Sequence, residues 1–163
     1  MDFESQSIEM KRTMLEASVG RVAIAAHSLE LHAKLLLCIE IAKGNDTIFE
    51  EEFEKFRTLG MLVQDIGKAG LLNNPDMDTL RLVKNSRNEF THKLSEPYIT
   101  AIRGDKPMYE LILEFEGLKC ALNDAEKVIS SILNVKAKAG GVSISDVKQK
   151  AKEEVNNWEK PNN

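Results

Sequence analysis

Residues 23–37 read A-I-A-A-H-S-L-E-L-H-A-K-L-L-L. In and around this stretch, apolar side chains at Val19, Val22, Ala23, Ala26, Leu29, Ala33, Leu36 and Leu37 recur at intervals of three and four. That period lines one face of an α-helix. The spacing predicts helix over 8–43, as one rod or as two pieces broken near Gly20, ended by Gly44-Asn45-Asp46. The rest of the chain repeats the pattern, and no run alternates as a half-buried strand would. The expected fold class is all-α, a bundle of four to six helices.

Working outward, Thr47 and Glu50 form a capping box that opens a second helical stretch, with Ile48, Phe49, Phe53 and Phe56 on its apolar face. Gly60 and Gly67 break that stretch and leave a short helix over about 59–69. Asn73-Asn74-Pro75-Asp76 is a start signal, a cap followed by proline and acid in the first turn. The helix it opens should run over about 75–94 and close at Pro97. A loop over 98–107 contains the turn Arg103-Gly104-Asp105-Lys106, which is also a candidate phosphate contact. Leu111, Ile112, Phe115, Leu118, Leu122, Val128, Ile129 and Ile132 then face inward from a long helix over about 108–138, ended by Gly140-Gly141. Ser145 opens an amphipathic segment with Val147, Ala151, Val155 and Trp158. Residues 1–140 thus read as the bundle, and 141–163 as a C-terminal helix or tail packed on the same domain.

The chain has 163 residues, which suits one domain rather than two. Its net charge of −4 does not fit a general nucleic-acid coat protein, which carries a broad basic face. The charge is uneven, however. Residues 40–54 hold Glu40, Asp46, Glu50, Glu51, Glu52 and Glu54 against Lys43 alone. Residues 80–93 hold Arg81, Lys84, Arg87 and Lys93 against Glu89 alone. Cys38 and Cys120 sit among apolar residues and read as buried small hydrophobes in a reducing compartment. The opening M-D-F-E-S-Q lacks the basic-then-apolar order of a signal peptide. His27, Glu30 and His32 interrupt the longest apolar run, so no membrane contact and a cytoplasmic location are expected.

The third main helix carries chemistry. Residues 86–94, S-R-N-E-F-T-H-K-L, collect Arg87, Asn88, Thr91 and His92 where packing alone needs only Phe90 and Leu94. At about 100° per residue, Leu80, Val83, Phe90 and Leu94 form a stripe with Arg87 on its margin. Thr91, Asn88 and His92 then climb from that margin onto the open face. A guanidinium beside a core stripe must find partners. The bland reading pairs Arg87 with an acid of a neighbouring helix and leaves Asn88 and His92 to solvent.

Arg87-Asn88-Glu89-Phe90-Thr91-His92 also resembles, in its shortest form, the R-x(4–6)-H signature of the HEPN superfamily. The order of a long apolar helix, the short helix T-L-G-M-L-V-Q-D-I-G-K-A-G-L-L (58–72) and then L-R-L-V-K-N-S-R-N-E-F-T-H-K-L (80–94) is similar to HEPN-like domains over roughly residues 15–135. The resemblance implies a homodimeric, metal-independent endoribonuclease with both motifs at a shared cleft, of the kind found in toxin–antitoxin and phage-defence systems. It needs no cofactor and makes Arg87, His92 and Asn88 the catalytic set, with Thr91, Lys84, Lys93 and Glu30 at the cleft. The residue types suit that chemistry. A histidine moves the ribose 2′-OH proton near neutral pH, and an arginine meets the phosphorane bidentately. Products would end in 2′,3′-cyclic phosphate. Toxins of this superfamily paired with nucleotidyltransferase antitoxins usually show His-x-Tyr; here the position is Leu94 and the nearest tyrosine is Tyr98. Other HEPN-like families, the mannitol operon repressor type among them, keep the bundle and act as regulators. The alternative is therefore a non-catalytic helical module that binds a protein, an antitoxin or a nucleotide.

His27 and His32 are five residues apart and do not share a helix face, so a two-histidine metal pair is not expected; either can pack or line the cleft. Glu30 and Lys34 read as an i,i+4 surface pair, unless Glu30 faces Arg87. The acidic run Glu50, Glu51, Glu52 and Glu54 reads as a solvated face.

Overall fold

The computed structural model describes residues 3–139, apart from the side chains of Lys93, Ser95, Glu96, Ile99, Asp105 and Lys106. The expectations for Gly140-Gly141 and for 141–163 lie outside them. The described residues form an all-α bundle: α1 (Ile8–Ala42), α2 (Asp46–Glu54), α3 (Leu59–Lys68), α4 (Asn74–Lys93), α5 (Ser95–Ala101) and α6 (Asp105–Ala139). The long helices α1 and α6 make the main packed pair, α2 and α3 lie on α1, and α4 bridges α3 and α6.

Helix α1 is continuous for 35 residues, about 52 Å at 1.5 Å per residue. Gly20 does not break it. The glycine sits on the exposed side with nothing within 4 Å of where a Cβ would be. Its propensity cost of about 1 kcal/mol is outweighed by neighbours such as fully buried Leu15 and Val22. Burying side chains like Leu29, Leu36, Leu122 and Ile129, all wholly covered, contributes about 1.5–3 kcal/mol each. By length and composition α1 also passes for a membrane span, with an 18-residue window of mean hydropathy 1.5. The core helix of a packed bundle meets the same criterion, and His27, Glu30 and His32 do not prevent it.

Several boundaries depart from the sequence reading. The cap of α2 is Asn45, whose side chain accepts from the Ile48 amide, so the Thr47–Glu50 box does not form. Lys43 adopts a left-handed conformation (φ 46°) with Gly44 following at φ 88°. This turns the chain early and places Asn45 at the cap. Phe49 and Phe53 pack on the core, but Phe56 lies beyond the helix and is 84% exposed. Of the acidic run, Glu50, Glu51 and Glu54 face solvent as expected. Glu52 does not: Arg57 and Lys55 pair with it, and Arg57 Nη1 donates to its carbonyl at 2.8 Å. Hydrogen bonds from Lys55 and then Arg57 hold the Glu52 carboxyl below the usual range.

Pro97 ends α4 but does not open a long loop. Without an amide hydrogen it cannot bond back to the Lys93 carbonyl. Leu94 stays helical (φ −57°, ψ −37°) and Tyr98 N–H donates to its carbonyl, so the chain resumes at once as α5. The expected loop shrinks to residues 102–104, where Arg103 N–H and Gly104 N–H donate to the Thr100 and Ala101 carbonyls. Pro107 lies in the first turn of α6, where a missing amide hydrogen costs nothing. Cys38 is buried, and that burial raises its thiol pKa. Cys120 is exposed, contrary to expectation.

Candidate functional site on α4

Helix α4 begins where predicted. Asn73 caps it, accepting from the Asp76 amide at 2.9 Å, with proline in the first turn. Met77, Leu80 and Val83 are buried, and Phe90 and Leu94 pack at the core's edge. The Phe90 ring meets Phe115 of α6 edge-on, with centroids 5.2 Å apart. This anchor fixes the roll of the helix. Arg87 is therefore held at the margin, its side chain 28% exposed.

At that margin Arg87 meets Glu30 of α1, with Nη2 4.0 Å from Oε2 and the Glu30 side chain 23% exposed. Its Nη1 lies 3.4 Å from Asn88 Oδ1, a long hydrogen bond. Thr91 Oγ1 donates to the Arg87 carbonyl at 2.9 Å, a bond within the helix rather than toward a ligand. Glu30 does not pair with Lys34, whose ammonium instead lies 4.6 Å from the centre of the Phe53 ring. Asn88 and Lys84 are half-buried, and Thr91 and His92 are exposed. Arg87, Asn88 and Glu30 are thus in mutual reach, while His92 projects one turn further on. The side chain of Lys93 is among those not described.

The other histidines part ways. His32 lies between α1 and α6, its Nδ1 2.8 Å from the Ser28 carbonyl oxygen and 3.4 Å from Glu126 Oε1. It serves packing rather than a cleft. His27 is exposed on α1, one turn before Glu30. Among the described residues no three His, Cys, Asp or Glu side chains converge as a metal would need.

Two grooves flank α4. One of about 550 Å³ lies between α4, α5 and α6, lined by Phe90, Leu94, Phe115 and Leu118 with Glu89 and Glu114 at its edge. The other, about 580 Å³, lies between α3 and α4. Neither takes in Arg87, Asn88 or His92. Sequence reasoning missed the second groove because two helices contribute to it, although Gly60 and Gly67, noted only as helix breakers, were its signal.

Searched against family models, curated proteins and solved structures, the chain matches none.

Proposed function

We propose that this face of α4 is half of a metal-independent ribonuclease site of HEPN type, completed by a second copy of the chain across a two-fold axis. The observation that carries the reading is the arrangement of Arg87. It lies at the core margin, 4.0 Å from Glu30 and 3.4 Å from Asn88, while His92, one turn further on, is exposed to solvent. A cation together with a solvent-accessible acid–base group is what cleavage by the ribose 2′-OH uses. One histidine takes the 2′-OH proton, the 2′ oxygen attacks phosphorus, and the 5′ oxygen leaves with a proton from a second acid. The products are a 2′,3′-cyclic phosphate and a 5′-hydroxyl. One chain offers one motif histidine, so a two-fold dimer supplies the second. On α1, Ile24 is 72% and Leu31 39% exposed, apolar surface that a partner copy would cover.

The purified protein, in EDTA, should cut single-stranded RNA and lose that activity with Arg87→Ala or His92→Ala. Full activity in both variants would remove the site, and dependence on a divalent metal would remove the mechanism. Light scattering that finds a strict monomer would remove the composite site. The second reading, a regulatory or binding module without catalysis, draws on the Glu30 contact, since an arginine tied to a carboxylate is also an ordinary helix tether. Growth arrest on expression, relieved by His92→Ala, favours the nuclease; harmless expression favours the module.

A further inference from the structure

Of the two grooves beside α4, the apolar one, with Phe90, Leu94, Phe115 and Leu118 in its lining, offers a phosphodiester no cation, whereas three cations and two amides line the α3–α4 groove. Lys68 and Gln64 of α3 face Arg81, Lys84 and Asn85 of α4 across it. Two glycines, Gly60 and Gly67, lie on the α3 wall. Gly60 is the second residue of α3 and Gly67 the second from its end. Gly67 is accounted for by packing, because a Cβ there would come within 3.2 Å of Met77. Gly60 is not: a Cβ there meets only Thr58 Oγ1, at 3.7 Å, and it leaves its end of the wall open.

The groove does not stop at its own lining. With Arg87 as zero, Lys84 lies near 60°, Arg81 near 120° and Asn85 near 160°, at about 100° per residue. Asn88 falls near 100° and His92 near 140°, on the same face. Arg81, Lys84, Asn88 and His92 follow one another at three- and four-residue steps, a ladder of about 16 Å along the helix. The groove's cations therefore lead directly into the motif.

We infer that the α3–α4 groove is a track for the backbone of a single-stranded RNA, with Lys84, Arg81 and Lys68 contacting phosphates that flank the one held at Arg87. The inference rests on RNA being the ligand of the α4 face. Lys84 is the central contact: it is half-buried in the groove, and among the described residues no carboxylate pairs with it. Arg81 and Lys68 bond within their own helices, to Asp78 at 2.9 Å and Asp65 at 3.5 Å. Such exposed i,i+3 pairs are weak and easily exchanged for a phosphate. Gln64 and Asn85 can donate to phosphate or sugar oxygens, contacts that position a strand without reading its sequence. The track therefore takes RNA with little base preference, and its affinity falls with salt.

The test separates binding from cutting. Anisotropy of a labelled oligouridine is followed against salt for the full chain carrying His92→Ala, so that the probe survives. A second chain adds Lys84→Gln and Arg81→Gln, and oligothymidine of the same length is the control. The double groove variant should weaken RNA binding about tenfold at 100 mM salt. It should also flatten the log–log salt slope by about 1.4, since each phosphate contact on a single strand contributes about 0.7. Oligothymidine should lose affinity in parallel, because phosphates are what the groove contacts. Unchanged affinity and slope, in a variant with an unchanged melting curve, would overturn the track while leaving the nuclease reading in place. RNA bound through the groove but never cut by the wild-type chain would support the track and overturn the nuclease. No RNA binding at all overturns both.

Discussion

If Glu30 holds Arg87, the two side chains must be energetically coupled, and the structure sets the size. At their separation of 4.0 Å, Coulomb attraction at an effective dielectric near 20 is about 4 kcal/mol. Desolvation offsets much of that, since 28% and 23% of the two side chains remain exposed. A wholly exposed pair yields about 0–1 kcal/mol, and breaking a buried one costs about 3–5. A coupling of about 1–2 kcal/mol is expected between those limits. The measurement is a double-mutant cycle with Glu30→Gln, Arg87→Gln and both, read from urea unfolding at pH 7. For a chain of this length the Glu30→Gln melting temperature should fall by about 2–8 °C. Because the contact is largely covered, 0.5 M salt should remove less than half of the coupling. A coupling below about 0.3 kcal/mol, the usual additivity error, would show that Glu30 does not position Arg87. The same cycle run on cleavage separates tether from machinery. A pure tether loses stability alone, whereas an orienting carboxylate also lowers the cleavage rate of Glu30→Gln below that of a control equally destabilised elsewhere.

Asn45→Ala should cost about 1 kcal/mol as the loss of a helix cap, whereas Thr47→Ala should stay within about 0.5 kcal/mol; the reverse order in urea midpoints would restore the Thr47 box. A thiol reagent should modify one cysteine of the native chain at once, Cys120, and reach Cys38 only on unfolding; two fast thiols would contradict the burial of Cys38. Glu116 is held below the usual carboxylate range by a hydrogen bond from Lys119, and then from Arg21 at 2.7 Å. Glu52 is lowered likewise. Carboxyls depressed in the folded state add stability that is complete above their ordinary pKa near 4.5 and is lost as pH falls through the lower folded values. Urea midpoints should therefore hold from pH 7 to 5 and drop below about 4.5, the drop shrinking in Glu116→Gln; an equal drop in that variant would mean the pairing is absent in solution.

The period of three and four through Val19–Leu37 specified α1, and Asn73-Asn74-Pro75 specified the start of α4, because helix faces and caps are set by residues within a turn of one another. The same local arithmetic placed Arg87 at the core margin and His92 on the open face, as the burial of Leu80 and Val83 requires. Where neighbours in sequence compete, local rules misjudged the outcome. Lys43 and Gly44 took left-handed geometry and moved the α2 cap to Asn45. The αR backbone of Leu94 carried the chain past Pro97 into α5. Neither choice follows from one residue's propensity. Other features needed the third dimension altogether. Glu30 had two possible partners, Lys34 four residues away and Arg87 on another helix. Only packing decided between them, by sending Lys34 to the Phe53 ring and α4 against the rest of the bundle. The α3–α4 groove is of the same kind. Its lysines, arginine and glycines are spread over residues 60–85, and a surface shared by two helices exists only once the core fixes how each helix is rolled.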